Sequence, residues 1–212
     1  ATFRRELRRS IRDELRASGL DAPDALVRGE DAYWPTWTAP DLLLSQTCGY
    51  PYRARLHGKV TLVGTPDFGL PDAPPGHYYS VFVVRRDDPR PDLAAFDGAA
   101  FAYNDDLSQS GWAAPQNHVT RFGLTLPPVH CSGGHRQSAQ AVADAAADIA
   151  ALDAVTWSLM QNRDPVVDRL RVIGRTEATP GLPYITANGG NAALLRVAIA
   201  QAIRRLSAAD RT

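Results

Sequence analysis

Leu7, Ile11 and Leu15 recur every four residues in an otherwise charged opening, "ATFRRELRRSIRDELRASG". That spacing predicts an amphipathic helix closed by Gly19. The pattern then breaks: "DALVRGEDAYWPTWTAPD" has no apolar period and carries Pro35 and Pro40, so irregular chain is expected. Beyond it, short apolar runs alternate with polar stretches. "DLLLSQ" (41–46), "VTLVGTPDF" (60–68), "YYSVFVVRR" (78–86), "AFAYN" (100–104), "PPVHC" (127–131), "IAALD" (149–153) and "RLRVIGRT" (169–176) read as strands, being short, apolar and rich in β-branched or aromatic residues. Helices are expected from near Ser110, over "HRQSAQAVADAAAD" (135–148), from "AVTWSLMQ" after Asp153, and over "NAALLRVAIAQAIRRLSAA" (191–209). Strands alternating with helices predict an α/β fold with mainly parallel sheets.

Composition narrows the function classes. Lys+Arg and Asp+Glu both number 23, so the chain has no net charge to direct it to nucleic acid or an anionic membrane surface. No apolar run approaches the roughly 20 residues of a membrane span, so no membrane insertion is expected. Cys48 and Cys131 are too few for a disulfide framework and lack the spacing of a metal site. No metal or cofactor is expected. The opening residues do not read as a signal peptide, which leaves a cytoplasmic location open.

In an α/β sheet, ligands collect at the carboxyl ends of strands, where helix N-termini also point. Four polar stretches fall at such ends: "SQTCGYPY" with Tyr50 and Tyr52, "NDDLSQSGW" with Ser108, Ser110 and Gly111, "SGGH" with His135, and "DAVTW" with Asp153 and Trp157. Small hydroxyl residues beside a glycine at a helix start leave backbone N–H groups open to an anion. Each stretch has a plainer reading too. The serines and Asp153 can be helix caps, the tyrosines ordinary loop aromatics, and Trp157 core. A serine hydrolase using Ser110, His135 and Asp153 is the enzyme alternative, although the G-x-S-x-G elbow is absent.

The pieces "DLLLSQTCGYPY", "VTLVGTPDF", "HYYSVFVVRRDDP", "SQSGW", "GGHRQSAQAVADAAADIAALDAVTW" and "PGLPYITA" together resemble the phosphate/phosphonate-type substrate-binding proteins of ABC transporters, over about residues 5–205. The resemblance implies a two-lobed type II periplasmic-binding-protein fold with a hinge of two crossing strands, near Gly76–Ser80 and Thr179–Tyr184. Lobe one is then 1–77 plus 182–212, and lobe two 78–181. It implies a non-enzymatic protein that captures a small anionic solute between its lobes and delivers it to an ABC transporter permease in the periplasm or another extracytoplasmic space. Ser108, Ser110 and Gly111 match the hydroxyl-rich helix start that grips the anion, and His135 the histidine that opens the "GGH" helix. Tyr79, or Tyr78 beside it, matches the hinge aromatic, and Tyr50 or Tyr52 the aromatic of lobe one. Asp153 and Trp157 match the far end of the ligand. The family's first strand should precede the opening helix and has no counterpart here, so its slot is expected to be filled by another segment or another chain, or the lobe to be partly destabilised. Asp105 and Asp106 make "NDDLSQSG" more acidic than in phosphonate binders, so the ligand need not be a phosphonate. A ligand-sensing regulatory domain of the same fold is the alternative.

Overall fold

The computed structural model describes residues 2–209. Ala1 and residues 210–212, the outer ends of the expected first lobe, lie outside the described residues. The chain runs α1 (Thr2–Ala17), α2 (Trp34–Trp37), β1 (Ser45–Gln46), α3 (Gly49–Pro51), β2 (Val60–Gly64), β3 (His77–Tyr78), β4 (Ser80–Arg85) and β5 (Phe101–Tyr103). It continues with α4 (Ala114–Arg121), β6 (Pro128–Cys131), α5 (His135–Ala143), β7 (Ile149–Asp153), α6 (Ala154–Gln161), β8 (Leu170–Arg175), β9 (Thr179–Pro180), β10 (Tyr184–Ala187) and α7 (Ala192–Ala209). It divides into two compact units. One comprises Ala1–Thr47, Tyr52–Thr65 and Leu182–Thr212; the other Cys48–Pro51 and Pro66–Gly181.

In the first unit β10 lies between β1 and β2 and is antiparallel to both. Ile11, Leu15, Val63, Leu195 and Ile199 form one apolar cluster, with α1 packed on α7. Trp37, Leu42, Leu56, Val60 and Ile185 form another. The run 41–46 is only partly a strand. Pairing is confined to Ser45 and Gln46, because the Leu42 carbonyl instead accepts from Ala187 N (2.9 Å) and Thr186 Oγ1 (3.0 Å).

The second unit is built on a five-stranded sheet in the order β6-β5-β7-β4-β8. Alternation along its strands separates two cores. Val81, Val83, Ala150 and Leu152 face α5 and α6 with Val142, Trp157 and Met160. Phe82, Val84, Ile149 and Ala151 face the other side with Phe96, Phe101 and Val119. The layers are therefore helix, sheet, helix, as expected of an α/β protein.

The expectation of mainly parallel sheets is corrected. Among the strand pairs of the described residues, β6–β5 and β5–β7 alone are parallel; β4 is antiparallel to β7 and to β8, β3 is antiparallel to β9, and the three-stranded sheet is antiparallel throughout. The reason is connectivity. The βα repeat gives parallel neighbours only where successive strands belong to one winding, as β5, β6 and β7 do. The strands β4 and β10 each follow a change of unit along the chain, and nothing in their apolar pattern encodes direction. The helix expected over 135–148 stops at Ala143, and Ala145 takes a left-handed conformation (φ 61°) with no glycine to announce it.

Candidate functional site

Three parallel strands deliver three helix starts to one end of the second unit's sheet. The turn Gln109–Ala113 follows β5 and leads into α4; α5 follows β6; α6 follows β7. Because β4 is antiparallel to β7, with Ser80 opposite Asp153, the beginning of β4 lies at this same end. The parallel half of the sheet thus supplies the helix N-termini and the antiparallel strand adds Ser80.

Ser108 is the N-cap of the first of these starts. Its backbone is extended and its Oγ accepts from Gly111 N at 3.0 Å. Ser110, 3% exposed, sits one residue before that glycine. Its Oγ lies 2.9 Å from His135 Nε2, and its carbonyl accepts from Ser80 Oγ at 2.8 Å. Gly111 is needed for space rather than conformation. A Cβ there would lie 1.7 Å from Asn104 Oδ1 and 3.3 Å from His135 Cε1. Gly111→Ala is therefore expected to displace Asn104 and spread the Ser110–His135 pair, at the roughly 1–3 kcal/mol of overpacking. Thermal melting with a histidine NMR titration checks it; unchanged melting and an unchanged His135 signal contradict it.

His135 is the first residue of α5. The chain reaches it through Gly133 (φ 80°), with Ser132 Oγ 2.7 Å from Ser138 Oγ across the turn. Burial lowers the His135 pKa below the ordinary histidine value, while Asp153 and the Ala151 carbonyl pull the other way. Its Nδ1 is buried without a well-formed hydrogen bond. Asp153, the last residue of β7, caps α6: its Oδ1 accepts from Val155 N (2.7 Å) and Thr156 N (3.1 Å).

Beside this pair lie Cys48, which the sequence did not mark as a site residue, and Tyr78, the second of the two hinge-aromatic candidates. Cys48 Sγ accepts from Gln109 N at 3.1 Å and lies 4.0 Å from the Tyr78 hydroxyl. Burial pushes both the Cys48 thiol and the Tyr78 phenol above their usual pKa ranges, so both are neutral at physiological pH. Cys48, Tyr78, Ser80, Asn104, Ser110, His135 and Asp153 thus form one polar group inside the second unit.

Tyr79, Trp157 and Tyr52 lie elsewhere. Of the two tyrosine candidates at 78 and 79, Tyr78 is the one at this group: β3 ends there and the chain resumes as β4 at Ser80. Tyr79 instead stacks under the Arg175 guanidinium (5.0 Å) and lines a separate pocket of about 320 Å³ with Asp72, His118, Thr176 and Glu177. Trp157 packs in the core between α6 and the sheet. Tyr50, half-buried in α3, stands two residues from Cys48 in the second unit. Tyr52 belongs to the first unit and meets His57 edge-on at 5.9 Å. Among the described residues, no cluster of His, Cys, Asp and Glu suits a metal ion.

The family model described as the phosphonate periplasmic substrate-binding protein of ABC transporters matches residues 41–212. The chain belongs to that family. It is a family of solute-binding transport components rather than of enzymes, which implies a small solute and a permease partner. No curated protein sequence matches this substrate-binding protein. Solved structures do resemble it in fold. XAC2383 from Xanthomonas citri, bound to ATP, superposes with a TM-score of 0.67 at 21% identity, covering 91% of this chain and 76% of that one. PhnD1 from Prochlorococcus marinus, in complex with methylphosphonate, gives 0.68 at 18%, covering 92% and 75%. A histidine kinase sensor domain similar to periplasmic binding proteins gives 0.60 at 19%, covering 96% and 79%. Such neighbours establish the two-lobed binding-protein fold. Among the described residues, no helix is long and apolar enough to cross a membrane.

Proposed function

We propose that this substrate-binding protein captures a small oxyanion, phosphate, phosphonate or a similar head group, at the Ser110–His135 end of the second unit, and passes it to an ABC transporter permease from an extracytoplasmic space. The two units serve as the two lobes; the chain leaves the first at Thr65–Pro66, earlier than the Gly76–Ser80 crossing expected from the sequence, and returns at Gly181–Leu182, within the expected Thr179–Tyr184. The observation that carries the reading is the 2.9 Å approach of Ser110 Oγ to His135 Nε2 at converging helix starts. While the ring is neutral, Nε2 can accept the serine hydroxyl proton, a tautomer inferred from the hydrogen-bond pattern. Protonating the ring makes Nε2 a donor and frees the hydroxyl to donate as well, giving an anion two charge-assisted bonds.

The proton linkage has a definite sign. His135 is lowered in the free protein by burial, and a bound anion raises it again. Affinity is therefore expected to fall as pH rises, beginning below the ordinary value of about 6.5. Calorimetric titration with the oxyanion found by thermal-shift screening tests the site. Ser110→Ala and His135→Ala should each weaken binding about tenfold or more, since such bonds contribute about 1.5–3 kcal/mol. Parent-like affinity in both variants would place the ligand elsewhere.

The ligand-sensing alternative rests on the fold that this chain shares with the histidine kinase sensor domain. The hydrolase reading is weaker, because the Asp153 carboxylate caps α6 instead of holding the His135 ring.

A further inference from the structure

Much of the anion-holding capacity at this turn is already spent inside the protein. The Gln109 N–H, first in the turn, points at Cys48 Sγ (3.1 Å), and the Gly111 N–H points at Ser108 Oγ (3.0 Å). Cys48 does not meet Gln109 alone. The backbone N–H groups of Tyr50 and Ser110 and the Tyr78 side chain also act on its sulfur, each favouring the thiolate, although burial outweighs them and keeps the thiol protonated. The Gln109 N–H at 3.1 Å and the Tyr78 hydroxyl at 4.0 Å converge on one atom, the kind of donor set that holds an anionic oxygen. Here a neutral sulfur fills it. A second observation is independent of the cysteine: Asn104 Oδ1 is buried without a hydrogen-bond partner beside Gly111 and His135, so it presents a bare acceptor to whatever sits there. An acceptor in that place opposes a second negative charge.

We infer that Cys48 is a specificity-determining residue, whose sulfur occupies an oxyanion nest and biases the site toward singly charged head groups over dianions. The inference rests on the proposed Ser110–His135 site and adds the charge class of its ligand. Removing the sulfur exposes the Gln109 N–H and its neighbours to a second ligand oxygen, whereas a serine hydroxyl in its place still accepts the Gln109 N–H and keeps the nest filled.

The test uses methylphosphonate, at a pH where it is a dianion, and methanesulfonate, a monoanion of nearly the same shape, titrated into the full chain by calorimetry. The parent should bind methanesulfonate more tightly. Cys48→Ala should shift the affinity ratio toward methylphosphonate about tenfold, the scale of one recovered charge-assisted bond. Cys48→Ser should keep the parent's ratio. The Gln109 amide NMR signal should move on adding methylphosphonate in Cys48→Ala and stay in place in the parent. Thermal melting of each variant accompanies the titrations, and a Cys48→Ala that melts far below the parent is replaced by Cys48→Gly under the same expectation. A ratio unchanged in the variant lacking the sulfur, or a parent that prefers the dianion, overturns the inference even where Ser110→Ala weakens binding and upholds the site. Binding that persists in Ser110→Ala overturns the site itself, and failure of every variant to bind either probe overturns both.

Discussion

Phe82→Ala is expected to destabilise the second unit by about 3–5 kcal/mol, the largest effect of any single truncation considered. Phe82 is fully buried in the interior strand β4, paired with Ala151 on one side and Gly174 on the other. It fills the core shared with Phe96, Phe101, Val119 and Ile149, and His118 lies against its ring with centroids 5.6 Å apart. Alanine would leave a void between the sheet and α4 that rigid strands on both sides cannot close. Function should fail with it, because β4 positions Ser80, which holds the Ser110 carbonyl. Urea unfolding followed by tryptophan fluorescence measures the loss; a change below about 1 kcal/mol would show that the core relaxes around the gap.

Asp88→Ala is expected to cost about 3 kcal/mol, the low end for breaking a buried ion pair, since its arginine partners are partly exposed. Asp88 lies just beyond β4, at the opposite end of the sheet from Ser110 and His135, with its side chain only 4% exposed. Its Oδ1 accepts from Arg90 N (3.0 Å) and Nε (2.9 Å), and its Oδ2 from Arg90 Nη2 (2.7 Å). Arg90 also reaches Asp148, whose Oδ2 accepts from Ala100 N, and Arg171 Nη2 donates to the Asp88 carbonyl. This network ties together the chain after β4, the starts of β5 and β7, and β8. The Arg90 hydrogen bond is the main reason that the Asp88 pKa drops to about 2. A carboxylate depressed in the folded state stabilises it above the unfolded pKa of about 4 and loses that contribution as pH falls toward 2. The parent should therefore lose about 2 kcal/mol on acidification through that window, and Asp88→Ala should lose correspondingly less. Parallel acid-unfolding curves for the two proteins would contradict the assignment.

Both substitutions act on residues whose role is decided by different kinds of information. That Phe82 is core could be read from "YYSVFVVRR", where a continuous aromatic and β-branched run leaves no face for water. The same local logic located β7 at Ile149–Asp153, α6 at Ala154–Gln161 and α7 to within a residue, because their periods and caps lie inside the segment itself. It also showed that Ser108 and Asp153 stand at helix starts, which the structure makes caps. The family, too, was legible, since it rests on residue types in order along the chain.

What the sequence could not determine depended on partners far away in it. Strand direction in the sheets depended on which strands follow a change of unit, and the apolar pattern is the same either way. Tyr78 and Tyr79 are neighbours of one type, and only the break between β3 and β4 decides that Tyr78 meets Cys48 while Tyr79 stacks with Arg175. Trp157 followed a polar junction but turned inward, because α6 needs an apolar face against the sheet. Cys48 lies 61 residues from the amide that it engages, and a lone cysteine has no motif to mark it. Local sequence thus determined where strands, helices and caps form, since those energies are settled within a few residues. Only the tertiary structure decided which side chains share the site, because that follows from contacts between segments whose chain separation leaves no periodic trace.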